Sequence, residues 1–97
     1  MAGFVQIIEY KSSRIEEIRA LIEGLRKSGA GTALGGTLTA DRDRPGYHFS
    51  IVEFASAESA MENSQLPEVS ELARKMAELC DGPAKFYNLD VVESWDG

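Results

Sequence analysis

A chain of 97 residues is long enough for one domain with a single core, and its 43% hydrophobic and 27% charged residues are typical of globular proteins. The formal net charge of −6 argues against nucleic-acid binding, because contact with phosphates requires a basic surface. No apolar run approaches the roughly 20 residues of a membrane-spanning helix, and no basic segment precedes an apolar stretch at the N-terminus, so we expect a cytoplasmic protein without a membrane partner.

The single cysteine and the single histidine restrict the redox and metal chemistry of this chain. Cys80 alone cannot form a disulfide framework or a paired-thiol metal site. His48 alone leaves too few ligands for zinc, which usually takes several histidine or cysteine side chains. We therefore expect neither a disulfide framework nor a metal site.

The first predicted elements are a strand and an amphipathic helix. Residues 4–10, FVQIIEY, are rich in β-branched and aromatic residues and lack glycine and proline, which favours a strand with apolar side chains on both faces. Ser13 followed by Glu16 matches a capping box and predicts the start of a helix. Apolar residues then recur at helical spacing, at Ile15, Ile18, Leu21, Ile22 and Leu25. Gly29 is predicted to end this helix.

A strand weakened by glycine and a hairpin follow. Residues 31–40, GTALGGTLTA, predict the strand, and the polar segment 41–46 predicts a turn into GYHFSIVEF, residues 46–54. Side chains alternate between the two faces of a strand. One face of this hairpin strand therefore carries His48, Ser50, Val52 and Phe54, and the other carries Tyr47, Phe49, Ile51 and Glu53.

The second half of the chain predicts two helices and a last strand. Ser56 is suited to cap a short helix, and Pro67 is suited to the first position of a longer one, where its missing N–H has no cost. The longer helix carries an apolar stripe from residue 69 to residue 80 and is predicted to end at Asp81-Gly82-Pro83. Residues 85–93, KFYNLDVVE, predict a strand, and residues 94–97 form a tail.

The predicted order is β-α-β-β-α-β, with the second helical region split in two. This is the ferredoxin-like arrangement of the α+β class, in which an antiparallel sheet carries its helices on one side. An uncovered sheet face with Tyr47, Phe49 and Ile51 is a larger apolar patch than monomers usually expose. We therefore expect the sheets of two copies to pack together as a homodimer. The alternative is that loops or the C-terminal tail cover that face.

The chain resembles the dimeric α/β-barrel superfamily, and within it the antibiotic biosynthesis monooxygenase-like (ABM) domains. The resemblance rests on the strand–helix opening, on SIVEFASAESAMENS at residues 50–64, and on the long helix before the last strand. It implies a dimeric barrel of two sheets packed back to back, with a pocket between the sheet and the helices of each subunit. Some members carry out cofactor-independent oxygenation of aromatic polyketides or quinols, while others degrade haem, act as isomerases or have no assigned activity.

The resemblance also suggests which residues line the pocket. Phe54 stands where many members have a pocket-facing tryptophan, and Asn63 and Ser64 stand where many have a histidine. No residue is an obvious axial ligand for haem, so no cofactor is expected. If Phe54 faces the pocket, strand alternation places Val52, Ser50 and His48 on the same side. Gln6 or Glu9 of the first strand joins them, depending on its register.

Two of these residues are candidate catalytic groups. His48 suits a general base that removes a phenolic proton, because the ordinary pKa of a histidine side chain lies near neutrality, although a histidine here can also simply bond a backbone carbonyl. Asn63 suits orientation of a substrate oxygen, although asparagine is also common at a helix C-terminus. Ser50, Val52, Phe54 and Gln6 are the predicted ligand-binding residues. Glu53, on the opposite face, is expected to lie within the dimer barrel, where an acidic group needs a partner such as a tyrosine hydroxyl.

Two functions therefore remain open at this point. One is a homodimer that binds a small aromatic or quinone-like compound and oxygenates it without a cofactor. The other is a non-catalytic dimeric module that carries a ligand or binds a protein partner.

Overall fold

The computed structural model describes residues 2–97, which form four strands and three helices. In chain order these are β1 (Phe4–Lys11), α1 (Ile15–Ser28), β2 (Gly35–Ala40), β3 (Tyr47–Phe54), α2 (Ala57–Gln65), α3 (Pro67–Leu79) and β4 (Lys85–Asp90). The strands make one antiparallel sheet in the order β2-β3-β1-β4. This confirms the predicted α+β class and ferredoxin-like order, including the division of the second helical region.

The register of the two central strands decides which residues share a face. Phe4 lies opposite Phe54, and Tyr10 lies opposite His48. Directly paired residues of antiparallel strands project to the same side of the sheet. Gln6 is paired with Val52 and therefore lies on the His48 side, whereas Glu9 lies on the other. This settles the register that the sequence left open.

The helices cover the side of the sheet that bears His48. Helix α2 contacts β1 and β3, and α1 packs against α3. Phe4, Tyr10 and Phe54 on this side are at most 8% exposed, and Ile18 of α1 is fully buried. Burial of one such apolar side chain contributes about 1.5–3 kcal/mol. These residues are therefore the core that holds the helices to this side of the sheet, which we call the covered face.

No helix of residues 2–97 lies on the opposite side of the sheet, which we call the open face. Five of its apolar side chains are half-buried: Val5, Ile7, Tyr47, Phe49 and Ile51. Leu89, paired with Val5, is 43% exposed. Each of them would lose its remaining contact with water if a second sheet packed here. The open face is therefore the apolar surface on which the expected homodimer depends.

A small polar network lies within the open face. The Tyr87 hydroxyl donates to Glu9 Oε1 at 2.9 Å, and Arg44 Nη1 donates to Glu9 Oε2 at 3.3 Å. The Arg44 guanidinium lies 4.3 Å from the ring centroid of Tyr47, within range of a cation–π contact. Within residues 2–97, the carboxylate that holds a tyrosine hydroxyl on this face is Glu9, whereas Glu53 is exposed.

The start of α1 differs from the prediction. Its N-cap is Arg14, which makes no side-chain capping bond, so the capping box at Ser13 is wrong. Instead the Ser12 hydroxyl accepts from the Arg14 N–H at 3.0 Å and donates to the Leu79 carbonyl at 2.6 Å. A bond from Ser12 to the end of α3 is a tertiary contact, and a local capping rule cannot detect it. Gly29 ends α1 in the left-handed conformation, as predicted.

The other helix starts agree with the sequence. The Ser56 side chain accepts from the Ser59 N–H at 3.1 Å at the start of α2, and α3 begins at Pro67. Each of these two signals is local, so the sequence is sufficient to place it. Within residues 2–97, every helix is too short or too polar to cross a lipid bilayer.

Two predicted strands are shorter than expected. Residues 31–34 form a loop before β2, and residues 91–97 have no regular secondary structure. Gly31 has a φ of 98°, outside the extended range, so the chain cannot join the sheet there. At the other end, Val91 N–H donates to the Gly3 carbonyl at 3.0 Å, just before β1 begins, so β1 offers no partner beyond that point. Val92 and Trp95 are accordingly 97% and 79% exposed.

Candidate functional site

An open cleft of about 420 Å³ lies between the start of α1 and the hairpin of β2 and β3. Its lining residues are Ile15, Arg19, Leu38, Thr39, Ala40 and His48. The register of β2 on β3 pairs Ala40 with His48, so both project to the covered face. A volume of this order falls within the range of about 300–1,000 Å³ that small-molecule sites occupy.

His48 is held in one orientation by the hairpin. It is 9% exposed, and its Nδ1 lies 3.2 Å from the backbone carbonyl of Thr39. A carbonyl oxygen only accepts, so Nδ1 carries the proton of the neutral ring and Nε2 carries the lone pair. Nε2 has no hydrogen-bond partner in residues 2–97. Every fully buried side-chain nitrogen in those residues does have a partner, so Nε2 is not fully buried. Nε2 therefore retains contact with solvent, as a base at the cleft requires.

A second polar pair lies next to His48 in the core. The Tyr10 hydroxyl and the Ser50 hydroxyl are hydrogen-bonded at 2.8 Å, and both residues are buried. The Tyr10 and His48 ring centroids are 6.0 Å apart. Burial raises the pKa of the Tyr10 phenol, and the Ser50 hydrogen bond opposes that rise. Tyr10 is therefore neutral at physiological pH, and Ser50, a predicted ligand-binding residue, is already bonded to it.

The remaining predicted ligand-binding residues lie further along the covered face. Phe54 is 1% exposed and packs against Phe4, with ring centroids 6.5 Å apart. Gln6 donates from Nε2 to Asn88 Oδ1 at 3.0 Å, and Val52, opposite Gln6, is half-buried. Phe54 lies six residue steps along the strand from His48, which corresponds to about 20 Å. None of these three predicted residues lines the cleft.

Asn63 is bound to the loop between α1 and β2. Its Oδ1 accepts from the Thr32 N–H at 2.9 Å, and the Thr32 hydroxyl donates to the Ser59 carbonyl at 2.6 Å. A Cβ on Gly31 would lie 2.9 Å from Asn63 Oδ1, so glycine is required for this approach. The same loop reaches β3 next to Phe54, where the Leu34 N–H donates to the Glu53 carbonyl. The structure thus ties Asn63 to the far end of β3 and does not bring it into the cleft with His48.

Sequence reasoning missed most of the cleft. Ile15 belongs to the apolar positions of the predicted first helix, and no sequence pattern marks Arg19 or Ala40. The pairing of Ala40 with His48 is a register that hydrophobic alternation alone does not fix. One signal was available for the Tyr10–Ser50 pair, because a buried tyrosine hydroxyl needs a partner. No group of three or more histidine, cysteine, aspartate or glutamate side chains in residues 2–97 is arranged to hold a metal ion.

Comparison with known proteins identifies relatives of this fold. No protein-family model matches the sequence, and no curated protein matches it significantly. Among solved structures, a conserved protein of Methanosarcina mazei Go1 is similar at a TM-score of 0.79 with 11% identity, over 93% of each chain. A Deinococcus radiodurans protein assigned to the antibiotic biosynthesis monooxygenases is similar at 0.76 with 13% identity, over 96% of each chain.

A third similar structure carries the name of an activity. It is SnoaB of Streptomyces nogalater, a cofactor-independent oxygenase solved with one asparagine replaced by alanine, at a TM-score of 0.79 with 9% identity over 97% of each chain. Identities this low establish the fold alone. The chain therefore has the ABM-like fold, which confirms the resemblance drawn from its sequence.

Proposed function

We propose that this protein binds a small aromatic or quinone-like compound in the cleft beside His48 and oxygenates it without a cofactor. One observation carries this proposal: Nδ1 of His48 is fixed by a backbone carbonyl, while Nε2 is unbonded and accessible in residues 2–97. A general base needs an oriented lone pair at a site that a substrate can enter. The name of SnoaB as a cofactor-independent oxygenase supports the same reaction class.

The chemistry assigned to His48 is a proton transfer in two directions. Nε2 takes the acidic proton of a phenol or enol, and the resulting substrate anion transfers one electron to dioxygen. The substrate radical and superoxide combine to form a carbon–oxygen bond, which gives a peroxide anion. The imidazolium returns its proton to that peroxide, and the resulting hydroperoxide loses water, with the hydrogen of the carbon that bears it, as that carbon becomes a carbonyl. Dioxygen is the oxidant throughout, so the electrons balance without a bound cofactor.

Residues near His48 contribute packing and polarity rather than a proton. Tyr10 is neutral and bonded to Ser50, so this pair keeps a polar but uncharged wall beside the imidazole. The predicted role of Asn63 in orienting a substrate oxygen stays a prediction. In that role Nδ2 is the donor, since Oδ1 is already bonded to Thr32. The predicted ligand contacts of Gln6, Ser50, Val52 and Phe54 likewise stay predictions.

We also propose that the protein is a homodimer formed through the open face. Val5, Ile7, Phe49 and Ile51 are half-buried there, and a second copy packed about a two-fold axis removes them from water together. Glu9 meets the requirement that a buried carboxylate be paired, through Tyr87 and Arg44. Sedimentation at micromolar concentration is expected to give twice the chain mass of 10.6 kDa. A mass equal to that of one chain rules out the homodimer.

Oxygen uptake tests the proposed reaction directly. Wild type, His48→Ala and His48→Gln are compared on a panel of anthrones and reduced quinones, with thermal shift as the measure of binding. Loss of a general base is expected to lower turnover by about 10²–10⁴-fold in both variants. Glu62→Gln, a change of the same kind on the exposed surface of α2, is the control and is expected to turn over at the wild-type rate.

The same experiment separates the enzyme from a carrier. Thermal stabilisation by a panel compound without oxygen uptake in wild type identifies a non-catalytic ligand carrier. Turnover that is equal in wild type and His48→Ala removes His48 from the mechanism. No stabilisation and no oxygen uptake with any member of the panel overturns the proposed function.

A further inference from the structure

The lining of the cleft differs in charge from the rest of the chain. The chain carries 16 acidic and 10 basic residues, yet no acidic side chain lines the cleft in the described part of the chain. Arg19 is the one charged side chain of that lining, and His48 is the one other ionisable group. Thr39 is paired with Phe49 and projects to the open face, where its hydroxyl donates to the Phe49 carbonyl at 2.9 Å, so it offers no side-chain group to the cleft. The polar side chains that face a ligand are therefore both basic.

Arg19 keeps most of its hydrogen-bonding capacity unused. Its contacts in residues 2–97 are from Nη1 to Glu16, at 3.0 and 3.3 Å, and leave Nε and Nη2 without a partner. The two side chains of this pair are 63% and 77% exposed. Ion pairs this exposed contribute about 0–1 kcal/mol, so a ligand displaces the contact at little cost. Nε and Nη2 form the fork that binds a carboxylate through two parallel hydrogen bonds.

Other arginines of this chain use more of their guanidinium nitrogens in hydrogen bonds to carboxylates than Arg19 does. Arg14 uses both Nε and Nη2 on Glu17, and Arg74 uses three nitrogens on Glu71 and Glu78. Arg26 resembles Arg19 more closely: it lies on the same helix, contacts Glu23 through Nη1 alone, and does not line the cleft. Arg26 is therefore a matched control for Arg19.

We infer that the cleft selects aromatic ligands that carry a carboxylate, and that Arg19 is the residue that binds it. This inference rests on the proposed function and names its substrate class. Ile15 and Arg19 are four residues apart and lie on one face of α1. The aromatic ring packs on the apolar part of the lining, its carboxylate reaches the Arg19 fork, and its hydroxyl lies at His48 Nε2.

The inferred selectivity has a second consequence for the same reaction. A ligand carboxylate neutralises the charge of Arg19 when it binds. Among the described residues that line the cleft, the one fixed cation is then paired with the ligand while His48 accepts the proton, so repulsion between the two positive charges is smaller. Arg19 thus acts on affinity directly, and it acts on proton transfer only through the ligand it holds.

Equilibrium binding of two probes tests the inference. The probes are 2,5-dihydroxybenzoate and its methyl ester, which share a ring and differ in the charge of one group. Calorimetric titrations under anaerobic conditions are made on wild type, Arg19→Gln and Arg26→Gln. Wild type and Arg26→Gln are expected to bind the acid about tenfold more tightly than the ester, as for a charge-assisted hydrogen bond. Arg19→Gln is expected to bind the two equally, with unchanged affinity for the ester.

The outcomes distinguish this inference from the proposed function. The inference is overturned if wild type binds acid and ester equally, or if Arg19→Gln still prefers the acid. In either case, binding of the ester still supports the site. If Arg26→Gln also loses the preference for the acid, the inference is overturned, because any loss of positive charge on α1 then has the same effect. If neither probe binds and no anthrone or reduced quinone binds, the proposed function itself fails.

Discussion

The two faces of strand β3 are built from alternate residues of the same eight-residue segment, yet they meet opposite surroundings. On the covered face, His48, Ser50 and Phe54 are 9%, 7% and 1% exposed. On the open face, Phe49 and Ile51 are only half-buried. The polar groups differ as well, because the covered face uses neutral hydrogen bonds and the open face uses an ion pair. One strand thus supplies both a wall of the candidate cleft and part of the apolar open face.

The largest expected effect is on the open face. Ile51→Lys places a charge where the proposed dimer interface is apolar, and both copies carry the change. We expect the dissociation constant of the dimer to rise by at least about 1,000-fold, or roughly 4 kcal/mol, because each charge is buried without a partner. Ser64→Lys, on the exposed surface of α2, is the control that should leave the dimer intact. Analytical ultracentrifugation measures both variants. If the Ile51→Lys protein is still dimeric, the open face is not the dimer interface.

The next effect is on the covered face. Phe54→Ala removes a side chain that is 1% exposed and packed against Phe4. Urea unfolding is expected to show a loss of about 3–5 kcal/mol from lost burial and the cavity left behind. Phe86→Ala, at a position that is 56% exposed, is expected to cost far less. Similar losses in the two variants contradict the distinction between a packed core and a partly exposed edge.

A smaller effect is expected at the polar pair of the covered face. Tyr10→Phe leaves the buried Ser50 hydroxyl without its partner at 2.8 Å. The expected loss of unfolding free energy is about 1–3 kcal/mol. Adding Ser50→Ala should recover part of this loss, since the unsatisfied hydroxyl is then gone. If the double variant loses as much as the two single variants together, the pair is not coupled.

The smallest effect is a pH dependence from the same tyrosine. Burial raises the pKa of Tyr10 above its ordinary value of 10.0. Below that value the phenol is protonated in both the folded and the unfolded chain, so Tyr10 adds no pH dependence. Above it the unfolded chain ionises first, and the free energy of unfolding falls as pH rises toward the folded pKa. Wild type is therefore expected to lose more stability than Tyr10→Phe between about pH 9 and about pH 11. Identical pH profiles of the two proteins contradict a raised Tyr10 pKa.

Local patterns predicted the fold well, and long-range contacts determined the rest. Ser56, Pro67 and Gly29 mark element ends through signals that act within a few residues, and all three are confirmed. The Ser13 capping box failed because Ser12 is bonded across the molecule to the end of α3.

In the candidate site, too, local sequence patterns predicted some features, and contacts between distant residues determined the others. Strand alternation correctly placed His48 with Ser50 and Phe54 on one face. Strand alternation could not show that Phe54 is buried in the core while His48 borders a cleft. This difference in burial depends on where α1 passes over the hairpin of β2 and β3. Arg19 entered the site for the same reason, through helix position rather than through any motif.

The position of β1 at the centre of the sheet sets the order in which this chain can complete its fold during synthesis. β1 is made first, but its two neighbours are β3 and β4, and the bond from Tyr87 to Glu9 spans 78 residues. Loop-closure entropy makes such distant pairings slow to form. Until residues 85–90 leave the ribosome, one edge of an apolar strand stays unpaired and open to other chains. Folding yield in the cell should therefore depend on how quickly the last strand follows the first.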